Sequence, residues 1–97
     1  MPEVDLHESA DDELRAAIRF YESRQTGLGD AFLKRVSEGF ELIKGQPLAS
    51  QILSVPFRRH LVRQFPYSIV YRLEGERIFV LAVAHWSRRP DYWKART

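Results

Sequence analysis

The chain opens with a period of two. Between Pro2 and His7, Val4 and Leu6 alternate with Glu3, Asp5 and His7, which predicts a short, half-exposed strand. Pro2 and the charges suit a sheet edge. The period then lengthens. Ala10, Leu14, Ala17, Ile18 and Tyr21 recur at intervals that put them on one face of an α-helix. Ser9 with Asp12 three residues on has the form of a capping box, and Asp11, Asp12 and Glu13 complement the positive helix end. Gly27 and Gly29 interrupt the pattern before a second stripe of Leu28, Phe32, Val36, Phe40 and Ile43. Gly45 and Pro47 close it, with Gly45 expected as a left-handed cap. Two helices joined by a short glycine turn make an αα-hairpin.

The remainder reads as β-structure. Phe57–Phe65 is extended in character but unusually basic. Phe65-Pro66 marks a turn, and Tyr67–Leu73 is dense in β-formers. Glu74-Gly75-Glu76 is a tight turn. Arg77–His85 is apolar on both faces from Ile78 to Ala84, which places it inside the sheet. Pro90 is positioned to open a final helical turn. The expected fold is α+β: an N-terminal strand, a two-helix hairpin, then an antiparallel meander (β-α-α-β-β-β) with the helices packed on one sheet face. The arginines then belong on the other face or its rim, because unpaired charge is costly to bury.

With 97 residues, 44% of them hydrophobic, residues 1–97 are expected to form one domain with a core of its own. The absence of cysteine excludes a disulfide scaffold, a thiolate metal site and a cysteine nucleophile. His7, His60 and His85 lack metal-ligand spacing, so no metal is expected. No phosphate-cradling glycine loop is present, since Gly27-Leu28-Gly29 joins two helices, and no cofactor is expected. The acidic start lacks the order of a signal peptide, and no apolar run is long enough to span a membrane. A cytoplasmic protein with no membrane partner is the expectation.

Charge changes the picture more than composition does. The net charge is only +2. Residues 1–49 carry 6 Lys/Arg against 10 Asp/Glu, a balance of −4, and residues 50–97 carry 9 against 3, a balance of +6. The second half therefore points to an anionic partner. Its candidate binding residues are Arg58, Arg59, Arg63, Arg88, Arg89, Tyr92 and Trp93. Strand alternation sets Arg59 and Arg63 on one side with Leu61, and Arg58 on the other with His60 and Val62. The same alternation gives His85 the parity of Phe79, Leu81 and Val83. Tyr67 and Tyr71 share a face suited to the core, and Trp86, Tyr92 and Trp93 suit a tail pinned to the fold.

The order Gly27-Leu28-Gly29, Phe32-Leu33, Arg58-Arg59, Phe65-Pro66-Tyr67 with Ile69 and Tyr71, Val80 to His85, and Arg88-Arg89-Pro90-Asp91-Tyr92-Trp93 resembles the RelE/ParE superfamily of bacterial type II toxins, over nearly the whole chain. The resemblance implies the fold already reached by pattern, and a cognate antitoxin. It also implies one of two targets. RelE-like members cut mRNA on the ribosome, which requires a base, an acid and cations around the phosphate. ParE-like members bind and poison DNA gyrase. Nuclease members commonly carry an arginine after the tyrosine that opens the middle strand; here that position is Ser68. Some end the last strand with His-Tyr; here it is His85-Trp86. Some place a glutamate between the second helix and the next strand; Gly45–Pro56 contains no acid, and Gln46 and Gln51 are not bases. Arg59, Arg63 and His85 are the catalytic candidates for a nuclease, with Tyr92 as a further proton donor. The incomplete set favours the ParE-like branch, a toxin that binds rather than cuts.

Overall fold

A computed structural model describes residues 3–96; Pro2, assigned above to the first strand, lies outside them. The elements are β1 (Glu3–Leu6), α1 (Glu8–Arg24), α2 (Leu28–Gly45), β2 (Gln51–Ser54), β3 (Phe57–Leu61), β4 (Tyr67–Glu74) and β5 (Arg77–His85). One sheet of order β1-β5-β4-β3-β2 contains every strand. β2 to β5 form an antiparallel meander, and β1 adds to β5 in parallel. The α+β architecture is the expected one, with β1 at an edge and β5 inside the sheet.

Both helical stripes reach the core. Ala10, Leu14 and Ala17 of α1 and Phe32, Val36 and Ile43 of α2 are buried against Ile69, Tyr71, Ile78, Val80 and Val83 of the sheet. Tyr67 and Tyr71 both face the helices. The Tyr71 hydroxyl donates to the Pro47 carbonyl at 2.7 Å and so fixes the exit from α2.

Four local expectations are corrected. The α1 cap is His7, not Ser9: the His7 backbone N–H still donates to Val80 O at 2.8 Å, and its Nδ1 accepts from the Ser9 N–H at 3.0 Å. β1 passes straight into the helix, so the first side chain outside it does the capping. Gly45 is not left-handed; α2 ends on Gln46 at φ −144°. β3 stops at Leu61 rather than Phe65, because Val62 N–H returns to Tyr67 O at 2.9 Å and Gln64 turns at φ 70°. β2 was not foreseen. A register shift between Ile52 and Ser54 doubles Leu53 with Ser54 opposite one partner residue, and this breaks the alternation that would have marked a strand.

The two helices and the sheet approach closely at glycines. The turn residue Gly27 has φ 90°, and the Glu22 carboxylate accepts the N–H groups of Gly27 and Gly29, capping α2 from the end of α1. A Cβ on Gly29 would stand 2.8 Å from the Ile18 carbonyl oxygen, whereas one on Gly45 meets nothing within 4 Å. Gly29→Ala is therefore expected to destabilise the fold by about 1–3 kcal/mol through backbone displacement. Gly45→Ala is expected to stabilise it by about 0.5–1 kcal/mol through helix propensity. Urea unfolding of the two variants beside the parent checks both signs.

Candidate functional site

The candidate residues lie around the end of β5, and a bulge there decides which of them meet. Val70 pairs with Ala82, but Tyr71 pairs with Val80, so Leu81 is an extra residue in β5. Ile78 and Val80 face the helices, as does Val83, while Leu81 and Ala82 both face the opposite side with Val70. The expected shared parity of His85 with Phe79 and Leu81 is thus wrong. The bulge turns Val83 and His85 to the helix side, where the His85 ring meets Tyr67 edge-on at 5.0 Å.

The face away from the helices carries the tail. Trp93 is 4% exposed and packs on Phe57 at 4.9 Å between ring centroids. The segment is a run of turns rather than the helical turn expected from Pro90, because Asp91 has φ 62°. Between tail and sheet is a cleft of about 190 Å³, lined by Arg59, Ser68, His85, Trp86, Arg89 and Trp93 among others, so His85 reaches its rim as well as Tyr67. Arg59 bonds through Nε to Gln51 at 3.0 Å. Trp86 is exposed and its indole N–H donates to the Ser68 hydroxyl at 3.1 Å.

The predicted arginines divide into two sets. Arg58 lies on the helix side, as alternation required, and its Nη1 donates to the carbonyls of Leu48 and Ser50, both at 2.9 Å, holding the loop before β2. Arg88 stacks over the Tyr92 ring at 4.0 Å and stands 3.7 Å from Glu13. Arg59, Arg63 and Arg89 have no acidic partner among the described residues. Arg63 sits exposed in the β3–β4 turn. His85 is occupied locally: its Nδ1 accepts the Ser87 backbone N–H at 2.9 Å, which leaves the proton of the neutral ring on Nε2.

Glu13 organises the region, and the sequence reading gave it only a helix-end role. Its carboxylate accepts from Val83 N–H (3.1 Å), the Tyr92 hydroxyl (2.6 Å) and both terminal nitrogens of Arg96 (2.9 and 3.1 Å). Arg96 also donates to the Leu81 carbonyl at 2.9 Å. The signal was present: Glu13 falls between Ala10 and Ala17 at helical spacing, inside the apolar stripe, where an acid needs cationic partners. Burial first, and then the bond to Glu13, push the Tyr92 hydroxyl far above its ordinary pKa. It stays protonated and held. Burial lowers the His60 imidazole below its ordinary value.

The comparisons establish the family and the fold. Residues 4–90 match the family model described as the ParE toxin of the type II toxin-antitoxin system, parDE, and the chain belongs to that family. A solved structure described as the chromosomal ParDE toxin–antitoxin system from P. aeruginosa has a chain of the same fold, at TM-score 0.64 and 19% identity, covering 88% of this chain and 96% of that one. Among curated proteins none matches at a significant level. No helix among the described residues is long and apolar enough to cross a membrane, and no described cluster of His, Asp or Glu is suited to a metal.

Replacing Glu13 by Gln leaves the half-buried Arg96 beside a neutral amide, and a loss of about 2–4 kcal/mol is expected. Asp11→Asn, which breaks only an exposed pair with Arg15, is expected to cost at most about 0.5 kcal/mol. Denaturant midpoints decide between them. Stability is also expected to fall on both sides of neutrality. The depressed His60 contributes stability above about pH 6.5 that is lost as pH falls through its folded value. The raised Tyr92 contributes stability below about pH 10 that is lost as pH rises toward its folded value. Tyr92→Phe should flatten the alkaline limb of a urea-midpoint profile and leave the acid limb in place.

Proposed function

We propose that the chain is a ParE-like toxin that inhibits growth by binding a replication enzyme, DNA gyrase, in the cytoplasm, and that a cognate antitoxin neutralises it. The observation that carries this reading is that the groups a cleavage step would need are already engaged within the fold. Arg59 and His85 both line the cleft under the tail, but the His85 ring packs on Tyr67 and its Nδ1 is taken by the Ser87 N–H. Tyr92 is engaged by Glu13, and the indole N–H of Trp86 can only donate. The position after Tyr67 is Ser68, whose hydroxyl accepts from Trp86.

What is left is a cleft where Arg59 and Arg89 have no acidic partner among the described residues, beside a histidine and a tyrosine already bonded within the fold. Such a surface suits recognition of an acidic protein surface, because guanidinium groups form paired bonds to carboxylates. It also fits neutralisation by an antitoxin segment that covers the same arginines. The RelE-like reading, a ribosome-dependent endonuclease using Arg59, Arg63 and His85, needs those three at one phosphate; Arg59 and His85 share the cleft under the tail, but Arg63 does not line it.

Expression of the chain without its antitoxin, with plasmid supercoiling and mRNA integrity followed in parallel, separates the two. Loss of negative supercoiling with intact mRNA is the expected result. Cuts at ribosomal A-site codons with normal supercoiling would refute the gyrase reading. Arg59→Ala and Arg63→Ala are each expected to weaken target or antitoxin binding about two- to fivefold, and Arg15→Ala to leave it unchanged. Equal effects from all three would show that the arginine face is not the binding face.

A further inference from the structure

The cleft under the tail is rich in hydrogen-bond donors that nothing in the fold accepts. Ser68 lies on β4 with Val70, lines the cleft and is 4% exposed. Its oxygen accepts the Trp86 indole N–H at 3.1 Å. Its own proton has no acceptor among the described residues. A hydroxyl has one proton to give, and burying it without an acceptor is costly. Arg59 and Arg89 line the same cleft without an acidic partner among the described residues. Arg59 is bonded through Nε to Gln51, which leaves its terminal nitrogens for a ligand.

Size and charge narrow the ligand. The space is about 190 Å³, whereas pockets for drug-sized ligands begin at roughly 300 Å³. One functional group and its stem fit; a nucleoside does not. Asp91 also lines the cleft, and Glu13 stands 3.7 Å from Arg88 in its wall. A nucleic-acid strand brings a row of negative charges, and these two acids would repel the phosphates flanking a bound one. A lone carboxylate brings one charge and two oxygens in a plane, the arrangement a guanidinium fork pairs with. Trp86, 57% exposed, stands beside these groups with its ring tied to Ser68. It offers an apolar wall to the methylene stem of an acidic side chain.

We propose that this cleft is a receptor for a single carboxylate, the side chain of a glutamate or aspartate on an acidic protein segment. Arg59 and Arg89 pair with its oxygens, and the buried Ser68 hydroxyl donates to it. Trp86 is the positioning residue. Its N–H occupies a lone pair of the Ser68 oxygen, so the hydroxyl proton must turn away from the indole and is left for the ligand. Sheet and tail supply the receptor jointly: Arg59 and Ser68 come from β3 and β4, while Trp86 and Arg89 come from the segment that the buried Trp93 pins down. The proposal rests on reading this cleft as the place where an acidic protein partner binds, and it names the group recognised there.

The test uses the purified full-length chain and small probes, so it can fail while the supercoiling result stands, and the reverse. Proton–nitrogen correlation spectra report the Trp86 indole N–H and the backbone amides. Titration with the blocked tripeptide acetyl-Ala-Glu-Ala-amide is expected to shift the Trp86 signal saturably, with a Kd on the order of millimolar. The same peptide with Gln in place of Glu should give no saturable shift. Arg89→Gln, at an exposed position, and Arg59→Gln should each weaken binding about fivefold or more, and Ser68→Ala about threefold. Arg15→Gln, on exposed α1 surface, should leave it unchanged. Because Trp86 acts through Ser68, Trp86→Phe, followed on the backbone amides, should weaken binding about twofold in the parent and not at all beside Ser68→Ala. No saturable shift, equal binding of the two peptides, or indifference to Arg89→Gln or Ser68→Ala overturns the proposal. So does tighter binding of inorganic phosphate or of the dinucleotide UpU, which would make the cleft a phosphate site. Equal losses from Trp86→Phe in both backgrounds overturn the positioning role.

Discussion

The carboxylate of Glu13 holds together what the short strands leave loose. β1 covers β5 only through Val80, where the His7 N–H makes the last ladder bond. Beyond that point β5 has an open edge. Glu13 accepts the Val83 N–H and Arg96 donates to the Leu81 carbonyl, so two side chains stand in for a missing strand. The pair also satisfies itself, Glu13 and Arg96 being paired and each about one-sixth exposed in its side chain. A half-buried charge without its partner is costly to keep, so the α1 helix, the β5 edge and the chain terminus are mutually dependent. Tyr92 completes the set, bonded to Glu13 and flanked on its ring by Arg88 and Arg96.

The bulge at Leu81 belongs to the same arrangement. It falls one residue past the last β1 ladder bond, where β5 is released from one neighbour and is free to take an extra residue. Its effect reaches the candidate site, because every side chain beyond it changes face. Without the bulge His85 would share a side with Leu81 and Arg59, and the strand end would present a histidine beside arginines. With it, the histidine ring packs on Tyr67 while still lining the cleft that Arg59 and Arg89 line under the tail. One inserted residue thus decides which ring the histidine packs on at the rim of that cleft.

The periodic elements were legible because the core imposed their period. The stripes Ala10–Leu14–Ala17 and Phe32–Val36–Ile43, and the doubly apolar run in β5, each reflect a face that must leave water. The illegible features were those where backbone and side chain exchange roles. His7 caps α1 because its strand leaves no linker, and β2 is a strand whose bulge cancels its alternation. The β5 bulge is silent in a run that is apolar on both faces, since parity carries no hydrophobic signal there. For the site, residue types were legible and sides were not. Arg58 and Arg59 separated as alternation required, His85 did not, and Glu13 escaped notice because its partner lies 83 residues away.

Counting charge by halves overstated what the surface presents. Of the nine cations after residue 49, Arg72 is paired with Glu74, Arg77 with Asp5, Lys94 with Asp91, and Arg96 with Glu13, while Arg88 lies beside Glu13 and Arg58 is held by carbonyls. Arg59, Arg63 and Arg89 remain without an acidic partner among the described residues. With a screening length of about 8 Å in physiological salt, paired cations project little field beyond their own partners, and partnerless ones attract whatever anion comes within that range. Three arginines, on β3, in the β3–β4 turn and in the tail, are therefore what the second half leaves without an acidic partner among the described residues. Arg59 and Arg89 line the cleft under the tail, so their juxtaposition depends on the tail being held. Glu13, bonded to both Tyr92 and Arg96, supports that arrangement through the tail it anchors.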